Sequence, residues 1–220
     1  VKIDAVKRDD LGGTILKGTM ESDHLADVGF ELGEIALDQL LDEGVLREIP
    51  ILRSVAGIVK TVGNVKEAVF IRKVAGFLLG LSKFTQEERG KFTKEYLADP
   101  KAAKRLGEAL VLLLDRLDDF EKPQMLAKAF TALVRGKIPL EAFRRLAAAI
   151  DIGFIVDLKR LANESEEIGG LTSDFLANLL RTGLVEFAPG VGPKTRFDVG
   201  VLGRLFIGCI NENYNFGIFK

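Results

Sequence analysis

The stretch from Ile49 to Ser82, IPILRSVAGIVKTVGNVKEAVFIRKVAGFLLGLS, decides how the remaining residues are read. Leu52, Val55, Ala56, Val59 and Val62 recur at helical spacing, and Arg53, Gly57, Lys60 and Asn64 fall on the opposite side, which predicts an amphipathic helix. Gly63-Asn64 predicts a break. Beyond it Val65, Ala68, Val69, Val74, Phe77, Leu78 and Leu81 continue an apolar face, with Lys66, Glu67, Arg72 and Lys73 opposite. From Val74 onward no polar face remains, so this part must be covered by protein or lipid.

A membrane span needs about 20 predominantly apolar residues. The uncharged run Val74 to Ser82 has nine, and six charged residues interrupt what precedes it. Each charge at bilayer depth would cost about 2.5–3.5 kcal/mol or more. The sequence therefore argues against a span and leaves two readings open. Either these are two core helices with solvated basic edges, or Arg53, Lys60, Lys66, Arg72 and Lys73 contact an anionic membrane surface or a partner protein.

The net charge of −1 over 220 residues conceals an uneven distribution. Residues 1–48 carry 5 Lys+Arg against 12 Asp+Glu, a net −7; residues 49–83 carry 6 against 1, a net +5; the rest is at +1. An acidic lead-in beside a basic segment either pairs with it, masking it from anionic surfaces, or is a separate solvated face. Hydrophobic content of 47% excludes a disordered chain. A single cysteine, Cys209, and the lack of a signal-peptide pattern predict a cytoplasmic protein, with peripheral membrane attachment as the variant of that expectation.

Residues 1–22 show no sustained period and are predicted to be a flexible arm. Asp23 caps a predicted helix whose polar side holds Asp27, Glu31, Glu34 and Asp38; four carboxylates on one helix face usually diverge into solvent rather than converge on a cation. Thr85-Gln86-Glu87-Glu88 has capping-box spacing and starts a helix to about Leu97. Asp99-Pro100 starts the next, to about Asp119, and Pro123 another, ending at Gly136. From Pro139 one helix is predicted to about Leu161, with Phe143, Leu146, Ala147, Ile150, Phe154, Ile155 and Leu158 on its buried side. The fold class expected is mainly α: a helical bundle over 23–162, then a small winged-helix-like α+β subdomain over 163–210, then a tail over 211–220. In that subdomain a short helix from Thr172 or Ser173 precedes two strands, Leu184 to Phe187 and Lys194 to Val199, and Val201 to Ile210 closes it.

Catalytic signatures are sparse. His24 is the sole histidine, so neither a Cys/His zinc site nor a Ser-His-Asp triad assembles around other residues. Gly190-Val191-Gly192-Pro193-Lys194-Thr195 departs from phosphate-loop spacing, and Pro193 removes an amide donor. Asp115, Asp118 and Asp119 form the carboxylate cluster best placed to hold a metal, although helix capping and pairing with Arg116 and Lys122 explain it as well. No cofactor is expected. Were the C-terminal module to bind DNA, Arg181, Lys194 and Arg196 would supply the contacts, yet the region is nearly neutral and protein contact suits it better.

An apolar helical centre, a helix-rich body and a winged-helix-like end with Gly183-Leu184-Val185 and Gly203-Arg204-Leu205-Phe206-Ile207 resemble, in layout, bacterial abortive-infection alpha proteins. The similarity covers about the last two-thirds of the chain and carries over no functional residue. It implies a bacterial, phage-defence-associated protein without an established catalytic centre. The expectation is thus a non-enzymatic interaction protein with a protein partner, an anionic membrane or a second copy of itself in contact. A DNA-binding regulator and a metal-dependent hydrolase are the alternatives.

Overall fold

The computed structural model describes residues 11–21, 65–81, 83–163, 173–188 and 196–211. These are mainly helical, with one two-stranded antiparallel sheet near the C-terminal end. The chain divides into two compact units, Val1–Gln124 and Met125–Lys220. The sequence reading set its boundary after residue 162; by contact, the helices from Met125 onward group with the hairpin.

In the first unit, α1 (Leu11–Glu21) occupies what sequence predicts as a flexible arm. Its Leu16 and Met20, four residues apart, are buried, while Lys17 and Glu21 pair on the outer side at 3.8 Å. Gly13 belongs to the same inward stripe. A Cβ there would lie 2.7 Å from the Lys104 backbone, so this glycine is what allows α1 to cross the helix carrying Lys104 so closely. Gly13, which interrupts the apolar period, is thus part of the contact.

The central stretch reappears as α2 (Val65–Leu81), with Val74, Ala75, Phe77, Leu78 and Leu81 all buried. Burying each large apolar side chain stabilises by about 1.5–3 kcal/mol, so the segment that lacks a polar face is core. α3 (Gln86–Tyr96) begins with the expected capping box: the Glu88 amide donates to Thr85 Oγ1 and the Thr85 amide to Glu88 Oε2. α4 (Pro100–Arg116) begins with Asp99 accepting from the Lys101 amide at 3.0 Å, and Pro100 stands at the first helical position. It ends three residues before the expected Asp119. Ala103, Leu106, Leu110 and Leu114 form its buried face.

The second unit starts within α5 (Lys122–Val134), whose Leu126, Ala127, Phe130 and Leu133 are fully buried. The helix closes in a Schellman turn: Gly136 has φ +67°, its amide donates to the Leu133 carbonyl and that of Lys137 to the Ala132 carbonyl. The single helix expected over 139–161 is two, α6 (Leu140–Ile152) and α7 (Ile155–Asn163). Gly153 takes an extended conformation and is buried so tightly that a Cβ would come within 2.8 Å of the Leu158 side chain. Phe154, expected on the buried side, is consequently 60% exposed.

α8 (Ser173–Thr182) buries Phe175, Leu176 and Leu179. Gly183 at φ +73° turns the chain into β1 (Val185–Ala188), which pairs antiparallel with β2 (Arg196–Val199). A short helix followed by this hairpin is the order expected of the winged-helix-like end. α9 (Val201–Ile210) packs on α6 and α7 and buries Phe206 and Ile207. Gly203 presses against Leu184, just ahead of β1, and against Val199 of β2; a Cβ would overlap the Leu184 carbonyl oxygen.

Candidate functional site

Of the five basic residues expected to form a contact surface, Arg53 and Lys60 lie outside the described residues, as does the side chain of Lys66. Lys73 is a correction: it is 8% exposed, and its Nζ donates to the Asp115 carbonyl at 2.8 Å. That oxygen is among the last carbonyls of α4, which lack partners within their own helix and carry the negative end of its dipole. Arg72 places its guanidinium 4.4 Å from the centre of the Phe120 ring. Arg72 and Lys73 therefore both hold the connection between α4 and α5 in place.

The carboxylates expected as metal candidates serve the same connection. Asp118 forms an ion pair with Lys122, whose side chain is 1% exposed. That hydrogen bond holds the Asp118 carboxyl below the ordinary aspartate range against a smaller opposing effect of burial, and the charges of Lys122 and Lys73 add to the lowering. Asp119 Oδ1 accepts from the Glu121 amide at 2.7 Å, and Asp115 is exposed. Among the described residues no three His, Cys, Asp or Glu side chains come together as a metal site. His24 lies outside the described residues. Cys209 is buried, and burial pushes its thiol up to about 12, far from the range of a reactive thiolate.

In the winged-helix-like end, α8 exposes Ala177, Asn178 and Arg181. Asn178 Nδ2 donates at 3.2 Å to Oδ2 of Asp157, itself 9% exposed, so this amide is committed to joining α7 and α8. Arg160, on α7, lies over the Phe175 ring at 4.9 Å. Lys194 and the side chain of Arg196 lie outside the described residues.

The feature that sequence reading missed is on the hairpin. Alternation along a strand puts Val185 and Phe187 on one face. Val185 is buried, whereas Phe187 is 60% exposed, so the apolar face runs out from under the core. Opposite Phe187 in the register is Phe197, with ring centroids 5.1 Å apart. The other face sets Glu186 across from Asp198, both exposed. The matched alternation V-E-F-A and R-F-D-V was the available signal. It shows that the two aromatics share a face, but only burial by the helices decides that this end stays open.

No family model, no curated protein and no solved structure matches this chain. Among the described residues, no helix is long and apolar enough to cross a membrane.

Proposed function

We propose that this chain is a non-enzymatic bacterial interaction protein whose C-terminal hairpin docks a protein partner. The observation carrying this reading is the pair Phe187 and Phe197, one ring 60% exposed, on a face that is core at its other end. Aromatic side chains are enriched at protein interfaces, and truncating one that serves as a central anchor weakens binding by about tenfold or more. The acidic pair Glu186 and Asp198 on the reverse face opposes approach to a phosphate backbone. Phage defence is the setting implied by the resemblance to abortive-infection alpha proteins.

The test is site-specific photo-crosslinking from position 187 in the native host, followed by binding measurements with the purified captured protein. Phe187→Ser is expected to weaken that binding at least tenfold while leaving the melting temperature unchanged. Unaltered affinity sinks the reading. A DNA-binding regulator is the second reading, favoured by exposed Arg181 at the end of α8 ahead of a hairpin. It requires salt-dependent duplex binding that weakens in Arg181→Ala.

A further inference from the structure

The turn between α6 and α7 leaves three large apolar side chains open at alternate positions: Ile152 is 59% exposed, Phe154 60% and Val156 57%. Gly153 between them is buried against Leu158, so the turn is held sharply and its flanking side chains are thrown outward. With more than half of each side chain in solvent, the three project from the turn, an arrangement suited to entering a fluid surface.

Cations flank the tip on both helices. On α6, Arg144, Arg145, Ala148 and Ile152 share the solvent stripe, placing the two exposed arginines about two turns, roughly 11 Å, behind the tip. On α7, exposed Lys159 follows Val156 by one turn on the same face. Glu141 offsets part of this charge through its 3.1 Å pair with Arg145, and Asp151 is half-buried nearby in sequence. Interfacial elements bury apolar groups about 5–10 Å deep while basic groups stay with the lipid phosphates, and this spacing matches that depth.

We propose that the α6–α7 turn is a peripheral docking tip for an anionic lipid surface, with Ile152, Phe154 and Val156 entering the bilayer interface and Arg144, Arg145 and Lys159 meeting phosphate groups. The proposal is independent of the hairpin reading, because it uses a different part of the unit. It also moves the expected basic lipid contact away from Lys73, which is occupied inside the first unit.

The chain contains no tryptophan, so Phe154→Trp installs a single reporter at the tip. In the full-length protein its emission is expected to shift to the blue, and to be quenched by brominated lipid, with vesicles of phosphatidylcholine plus phosphatidylglycerol at low salt. Phosphatidylcholine alone, or Phe187→Trp as reporter, is expected to give no shift. The double variant Arg144→Ala, Arg145→Ala should lower flotation with anionic vesicles about tenfold or more, and Phe154→Asp at least about tenfold, with far-UV circular dichroism unchanged. Absence of flotation by the unaltered protein overturns the proposal, as does flotation of Phe154→Asp equal to it. A lipid-independent shift that grows with protein concentration assigns the tip to a second copy, and a shift produced only by a protein partner assigns it there; both overturn it too.

Discussion

Asp118 shows how a residue that sequence offers for chemistry is claimed by structure. Its carboxylate is well exposed, but the lysine it pairs with is almost entirely buried. Replacing it by asparagine removes the charge paired with Lys122, and because the carboxylate is solvent-screened the expected cost is about 0.5–1 kcal/mol. The sign with pH follows from the lowered carboxyl. Since the folded value lies below the ordinary 3.8, the contribution is complete above that value and is lost as pH falls through the folded one. Urea unfolding midpoints should therefore differ between Asp118→Asn and the unaltered protein by a constant amount above about pH 5, and converge in more acidic buffer. The alternative assignments of this cluster, capping and ion pairing, were legible from Asp118 and Lys122 at four-residue spacing. Lys73 was not, since its partner lies 42 residues away and only folding brings them together.

At the level of elements, boundaries set by local chemistry were readable and those set by packing were not. Thr85 with Glu88, Asp99 with Pro100, and Gly136 each announce a helix end, because the groups that satisfy the backbone lie within a few residues. The break at Gly153 has no such signal. Apolar spacing runs straight through it, and the cause is a Leu158 side chain filling the place of a Cβ. The same distinction separates two helical glycines. Gly90 lies exposed in α3 with open space around it, so Gly90→Ala should stabilise by about 0.5–1 kcal/mol through lower chain entropy. Gly203→Ala forces α9 away from Leu184 and Val199 at the base of the hairpin and should destabilise by about 1–3 kcal/mol or more. Thermal and urea denaturation of the two variants, measured side by side, would show opposite shifts; equal shifts would contradict the close approach of α9 to the hairpin.

Across the whole molecule, the two units meet in sequence within α5, between Gln124 and Met125, rather than in a polar linker. Composition marked this place only as a helix start at Pro123, since Lys122 to Val134 reads as one helix and nothing within it signals a change of unit. The mainly α character and the C-terminal hairpin were visible in periodicity and turn residues. The exposed pair on that hairpin and the tip at Phe154 required knowing what the helices cover.

One consequence concerns Cys209, the single thiol, closed within α9 of the second unit. A side chain that reacts only when its surroundings part is a stopwatch already built into the chain. Alkylation by iodoacetamide should proceed many times more slowly than for a free thiol, at a pace set by how often the packing around α9 opens. If the second unit opens by itself, that pace should depend less steeply on urea than loss of the whole chain's helical signal does, since less surface is uncovered. Identical slopes would instead mean that both units come apart as one. Timing a single sulfur thus reads the cooperativity of all 220 residues without cutting any of them.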